Sequence, residues 1–188
     1  NVANIYRQGF SAGHAYIAME YFSHGDLRAR IGQAMDAREA LGYARQIAAA
    51  LQAIHAAAIV HRDLKPDNLM LRADGSLALA DFGIAKHVSM LITDTAHGEV
   101  IGTPYYLSPE QAMGQPVDQR CDLYSLGAVL YVMATGQPLY RGATMEETFE
   151  LIRAGAPTRP RKHQKSIPRE FEWTILRMLA RRQEERYQ

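Results

Sequence analysis

The sequence predicts an α+β fold: a short strand-rich opening, one further hairpin, and helices elsewhere. Three observations carry that expectation. The first 21 residues read as two strands about a turn, with Ile5 and Tyr6 in the first, Ser11-Ala12-Gly13-His14 turning, and Ala15 to Tyr21 in the second. From Asp36 onward, apolar residues recur at helical spacing. The stretch Cys121 to Met133 is apolar nearly all round, as a central buried helix should be.

Composition narrows the class of function. At 188 residues the chain suits one domain, with ample length to bury a core. Hydrophobic content of 47% and charged content of 22% fit a soluble globular protein. A formal net charge of +1 gives no electrostatic case for nucleic acid or for a membrane surface. The single Cys121 excludes an internal disulfide and suits a reducing compartment. No apolar run approaches the ~20 residues of a membrane helix. The best, from Ile47 to Val60, is Ala-rich and broken by Gln52 and His55. The expected location is the cytoplasm, with any membrane anchor of a longer parent protein lying outside these residues.

Each element has its own local signal. Asp36 is placed to cap the first long helix, with Glu39 as a capping-box partner. Leu41, Ala44, Ile47, Ala48, Leu51, Ile54 and Ala58 then mark its buried face. Pro66 shortens any helix through the loop Val60 to Leu69, because it has no N–H and disfavours a helical residue before it. Residues 68–71 and 77–80 read as a hairpin about Ala73-Asp74-Gly75-Ser76, which sets Asn68 and Asp81 at neighbouring strand ends. Residues 86–100 show no sustained period and read as a loop. Ser108-Pro109-Glu110-Gln111 starts a helix with an N-cap Ser, a first-turn Pro and a reciprocating Gln. Thr144 opens a further capped helix, and residues 170–181 form another. The basic stretch from Arg159 to Lys165, with Pro157, Pro160 and Pro168 around it, reads as a solvated connecting loop.

The chemistry gathers in the loop after the first long helix. There a carboxylate, Asp63, can take the proton of an attacking hydroxyl, and Lys65 can lie against a transferring phosphate. The amide oxygen of Asn68 and the carboxylate of Asp81 suit Mg²⁺, a hard cation that prefers oxygen. His61 is read as a packed structural histidine, because Asp63 is the better-placed proton acceptor. The motif His61-Arg62-Asp63-Leu64-Lys65-Pro66-Asp67-Asn68 is followed by Asp81-Phe82-Gly83 and then by Gly102-Thr103-Pro104-Tyr105-Tyr106-Leu107-Ser108-Pro109-Glu110. In that order and spacing, the chain resembles the eukaryotic-like (Hanks-type) Ser/Thr protein kinases, in a bacterial form.

The resemblance implies a protein-kinase-like fold. Residues 1–22 would be a remnant of the N-lobe, its fourth and fifth strands and the hinge, and residues 23–188 a mostly α-helical C-lobe. It implies ATP and Mg²⁺ as cofactors and proteins bearing Ser or Thr as substrates. Met19 then takes the gatekeeper position, Glu20 to Phe22 offer backbone groups to adenine, Asp26 meets the ribose and Met70 floors the pocket. Thr103 would bond Asp63 and Lys65, a pattern that marks Ser/Thr specificity. His61 would stack beneath Phe82, Asp122 would bond backbone N–H groups of the catalytic loop, and Arg186 would pair with Glu110. Arg62 and Lys86 are expected to receive a phosphothreonine at Thr93 or Thr95, placed there by a second copy in a kinase–kinase dimer.

Some family features are not found in these residues. They are the Gly-rich loop over the phosphates, the strand lysine that holds the α- and β-phosphates, the helix glutamate that positions it, and the last C-lobe helix. The expectation is a truncated catalytic domain that transfers phosphate poorly alone. Ser108 replaces the Ala usual in the family, a conservative change. Two other readings stay open: a pseudokinase-like scaffold or interaction module, and a small-molecule phosphotransferase of related fold. The second lacks the segment that runs here from Gly102 to Glu110.

Overall fold

The computed structural model describes residues 1–11, 13–31, 34–80 and 104–188. Strands β1 (Ile5–Ser11) and β2 (His14–Met19) pair antiparallel from Ile5↔Met19 to Ser11↔His14, with an irregularity between Ile5 and Arg7. Alternation alone would bury one face of such a hairpin. Here Tyr6, Phe10, Ile17 and Tyr21 all remain exposed. Residues before it join the second hairpin: Val2 bridges Leu79, the Leu79 N–H donates to Asn1 O at 2.8 Å, and the Ala3 N–H donates to Leu79 O at 2.9 Å.

Helix α1 (Ala37–Ala56) starts where Asp36 accepts a hydrogen bond from the Arg38 N–H. The Asp36 carboxylate therefore caps at the second helical residue, and Glu39 contributes as an acidic side chain in the first turn, where the helix dipole favours it. The buried face runs through Ala40, Tyr43, Ile47, Ala50, Leu51 and Ile54. Leu41 is a correction to the expected face: it is 44% exposed, and Ala48 and Ala58 are exposed too. With Tyr43 facing inward, residues two positions before it point away. Strands β3 (Leu69–Leu71) and β4 (Leu77–Leu79) form the expected second hairpin, paired from Leu69↔Leu79 to Leu71↔Leu77. Its turn is closed by the Ser76 N–H donating to Asp74 Oδ1, with Gly75 at φ 79°, a left-handed angle that suits glycine. The Gln46 side chain on α1 accepts from the Leu77 N–H at 2.7 Å and fastens this hairpin to the helix.

The short helix α2 (Pro109–Ala112) carries the full capping box between Ser108 and Gln111. Helix α3 (Arg120–Thr135) is buried from Tyr124 to Thr135 and lies at the centre of the core, against α1 on one side and α6 (Arg169–Met178) on another. Gly127 allows that second approach, since a Cβ there would lie 2.8 Å from Met178 Cβ. Helix α4 (Met145–Ala154) begins with Thr144 accepting from the Glu147 N–H. The basic connector is corrected as well: Pro160–His163 form a short helix, α5, because Pro160 occupies the N-terminal position where its missing N–H costs nothing. Each fully buried Leu of this core, such as Leu51, Leu69, Leu79, Leu126 and Leu130, contributes about 1.5–3 kcal/mol on leaving water.

Candidate active site

The loop between α1 and β3 is held in an unusual shape. Arg62 adopts φ 66°, which costs a non-glycine residue about 1–2 kcal/mol. Two buried side chains hold it there. The Asp122 carboxylate accepts the Arg62 N–H at 2.8 Å through Oδ1 and the His61 N–H at 2.9 Å through Oδ2. Gln111 donates from Nε2 to the Arg62 carbonyl at 2.8 Å. A third bond, from His55 Nε2 to Asp122 Oδ2 at 2.8 Å, ties the end of α1 to the same carboxylate. Asp122 is fully buried near the start of α3, so the loop is referenced to the most buried helix of the fold.

His61 is fully buried as well. Its Nε2 lies 3.1 Å from the carbonyl of Ala80, which can only accept, and its Nδ1 lies 3.3 Å from the donating Asp63 N–H. Those contacts make the ring a bridge between the loop and the end of the β3–β4 hairpin.

The side chains that follow converge. Lys65 Nζ donates to Asp63 Oδ2 at 2.9 Å, with both groups partly open to solvent. Asn68 Nδ2 donates to the Asp63 carbonyl at 2.7 Å and reaches Asp63 Oδ2 at 3.3 Å. With its donor end committed, the acceptor end of the Asn68 amide is the one left for a cation. A turn of 3-10 helix, Pro66–Asn68, sets this spacing, and the Ala80 N–H donates to Asn68 O at 2.9 Å. Asp81 is the next residue in the chain.

A second group of residues lies along β3. Phe22, Ala3, Ala78 and Ala80 form a small apolar cluster apart from the main core, and Met70 packs against it. Asp26 bridges Met70, and the Leu71 N–H donates to Gly25 O at 2.9 Å, so residues 25 and 26 run beside this strand. One Asp26 oxygen accepts from the Arg28 N–H at 3.0 Å. Glu20 is partly committed within the fold. Its N–H donates to Asn4 O at 2.8 Å and its carboxylate is paired with Arg72, which, with the Asn4 contacts, holds its pKa below the ordinary carboxylate value. The group it leaves for a ligand is its carbonyl. Met19, at the end of β2, is exposed.

Glu110 and Arg186 meet in the interior, with Nη1–Oε1 at 2.7 Å and Nη2–Oε2 at 2.8 Å. Arg186 also donates to the carbonyls of Ala180, Arg120 and Arg181 and lies over the Tyr124 ring. Arg62 points its charge outward and forms no ion pair among the described residues. Asp81, Phe82, Lys86, Thr93, Thr95 and Thr103 lie outside the described residues.

Several contacts had no local sequence signal. His55 reads as an interruption in an apolar helix and Gln111 as a cap, yet both hold the loop. Arg28 pairs with Asp67 at 2.6 Å across 39 residues of chain. Near them, burial, with the Asp67 carboxylate, pushes the Tyr106 phenol up to about 12.

Comparison with known proteins places this geometry. The sequence profile of the family described as "Protein kinase domain" matches residues 1–188. A probable serine/threonine-protein kinase of Clostridium acetobutylicum is 41% identical over all of this chain and 29% of its own length. A serine/threonine-protein kinase of Myxococcus xanthus is 35% identical over all of this chain and 28% of its own length. The serine/threonine-protein kinase PknB of Mycobacterium leprae is 37% identical over 92% of this chain and 28% of its own length. The chain thus spans under a third of the curated relatives it matches.

Proposed function

The chain belongs to the protein kinase domain family, and we propose on that footing that it is the catalytic portion of a Ser/Thr protein kinase, one that transfers the γ-phosphate of ATP to protein hydroxyls. The observation that carries this reading is the Asp63, Lys65 and Asn68 constellation on a loop whose strained backbone is held by Asp122 and Gln111. Residues 1–22 act as N-lobe strands and hinge, and residues 23–188 as the C-lobe.

Asp63 orients the incoming Ser or Thr hydroxyl and accepts its proton at a carboxylate oxygen as the new P–O bond forms and the γ-phosphorus parts from the bridging oxygen of the leaving ADP. Lys65, which donates to Asp63 Oδ2, would share its ammonium with the transferring phosphoryl oxygens, where negative charge collects. Asn68 Oδ1 and the carboxylate of Asp81 would hold Mg²⁺, and that ion would supply screening of the nucleotide's phosphate charge. The apolar cluster around Phe22 and Met70 receives adenine, the Glu20 carbonyl and the backbone to Phe22 meet its edge, Met19 limits its depth, and Asp26 bonds the ribose. Thr103 supports Asp63 and Lys65. His61 carries Phe82, and the Glu110–Arg186 pair fixes the segment that presents the protein substrate.

Arg62, exposed and without an ion pair among the described residues, joins Lys86 to receive a phosphothreonine at Thr93 or Thr95. A second copy of the kinase delivers that phosphate within a transient dimer. Among the described residues no helix is long and apolar enough to cross a membrane, and the domain is proposed to work in the cytoplasm.

The test is Mg²⁺-dependent phosphorylation of a generic Ser/Thr protein by the full-length parent, beside its Asp63→Asn variant. Activity in the parent and its loss in the variant, with ATP binding retained in both, is the expected result. Absence of both transfer and ATP binding in the parent would replace the enzyme with a scaffold of kinase fold.

A further inference from the structure

Far from the catalytic loop in sequence, α5 and α6 enclose an open groove of about 810 Å³, lined by Arg159, Arg161, Lys162, Arg169, Glu170 and Trp173 among others. We propose that this groove docks an acidic segment of a partner protein, one carrying Asp and Glu around an apolar residue. The proposal goes beyond phosphotransfer and does not depend on it.

Two independent features point to such an occupant. The first is charge. Four basic side chains face two acidic ones in the lining. The acids do not neutralise the bases evenly, because Glu172 is buried and already used: its Oε2 accepts from Arg159 Nη2 and its Oε1 from the Arg161 N–H, both at 2.9 Å. Burial raises the Glu172 pKa, but those two donors outweigh it and keep the group ionised. Arg161, Lys162 and Arg169 are left with no side-chain ion pair among the described residues. On a chain whose formal net charge is only +1, that is a local concentration of positive charge.

The second feature is Trp173. It is 71% exposed, one helical turn beyond Arg169 and therefore on the same face of α6. A large aromatic ring left in water and rimmed by charge is the usual composition of a binding anchor. Together the features call for carboxylates beside an apolar group.

Trp173 is the only tryptophan of the chain, so its emission reports on the groove directly. The experiment titrates the chain with a short synthetic peptide of Asp and Glu around a central Leu, at low and at physiological salt. A saturable change in Trp173 emission is expected, weakening as salt rises. The charge-reversed pair Lys162→Glu with Arg169→Glu, both at exposed positions, should bind about tenfold more weakly with an unchanged melting curve. Arg161→Ala gives a second, independent loss if the reversal disturbs folding. No saturation by the acidic peptide, equal binding by the reversed pair, or equal binding of a Lys-rich peptide would each overturn the proposal. So would tighter binding of phosphatidylserine vesicles or of a single-stranded oligonucleotide, which would reassign the groove to a membrane or to nucleic acid.

Discussion

Replacing Asp122 by Asn keeps the shape of the side chain and removes only its charge and one acceptor. In the protein, three donors converge on that carboxylate, from His55, His61 and Arg62, at 2.8–2.9 Å. An amide offers one oxygen and one NH₂, so at least one donor meets another donor. Leaving a buried N–H unsatisfied costs about 1–3 kcal/mol, and bonds to a neutral oxygen are about 1 kcal/mol weaker than to a carboxylate. Arg62 is the weakest point, since its left-handed backbone already carries about 1–2 kcal/mol of strain and would keep only the Gln111 tether. The expected loss of stability is about 3 kcal/mol, or roughly 6–12 °C in Tm for a domain of this size. Asp63 follows Arg62 directly, so kcat for the proposed phosphotransfer by the full-length protein should fall by about 100-fold while the KM for ATP changes little. Thermal and urea unfolding read the first effect, and steady-state kinetics the second. In an Arg62→Gly background there is no left-handed strain to release when the tether is lost, so the same substitution should cost about 1 kcal/mol more. An Asp122→Asn protein within ~0.5 kcal/mol of the parent, with unaltered kcat, would refute the account of how the loop is held.

Other outcomes follow from the packing. Glu110→Gln strands the buried Arg186 cation among carbonyls, and a loss of about 3–5 kcal/mol is expected in urea unfolding. A loss under 1 kcal/mol would mean the interior there is wet. Gly127→Ala pushes a methyl toward Met178 Cβ, and separating α3 from α6 should cost about 1–3 kcal/mol, read from the thermal midpoint. Burial, with the nearby Asp122 and Glu110 carboxylates, pushes the Cys121 thiol far up, so it stays protonated and covered at pH 8. Maleimide should label Cys121 only at the rate of global unfolding, and fast labelling of the native protein would contradict that burial.

What the sequence made legible was local. The cap at Ser108, the second hairpin and the buried character of α3 follow from signals within a few residues of each other. So did the Asp63, Lys65 and Asn68 cluster, whose members are spaced by a single turn around Pro66. Two distant supports, Asp122 on the His61 and Arg62 N–H groups and Arg186 on Glu110, were expected from the family resemblance and from no local pattern, and the remaining ones were not legible. His55 and Asp122 are 67 residues apart and Gln111 and Arg62 are 49 apart, and no periodicity connects them. Nor does the residue type announce the positive φ of Arg62, which tertiary bonds impose on a side chain that gains nothing locally from it. The face of α1 was read rightly at Ile47, Leu51 and Ile54 and wrongly at Leu41, Ala48 and Ala58, while the buried Tyr43 and Ala50 were left off it. The basic connector was read by its prolines, although Pro160 begins a helix as readily as it ends one.

The pairing of Glu110 with Arg186 also sets a timetable. The two residues are separated by 76 positions, so on a ribosome adding about 5–20 residues per second the arginine follows the glutamate by roughly 4–15 seconds. Throughout that interval the carboxylate has no counter-ion to justify leaving water, and the segment from Ser108 to Ala112 has no reason to bury it. Nascent chains halted before Arg186 should therefore be cut by protease near α2 while α1 and the β3–β4 hairpin, whose contacts lie within residues already made, resist. The later-made arginine acts as the latch that lets the segment from Ser108 to Ala112 close.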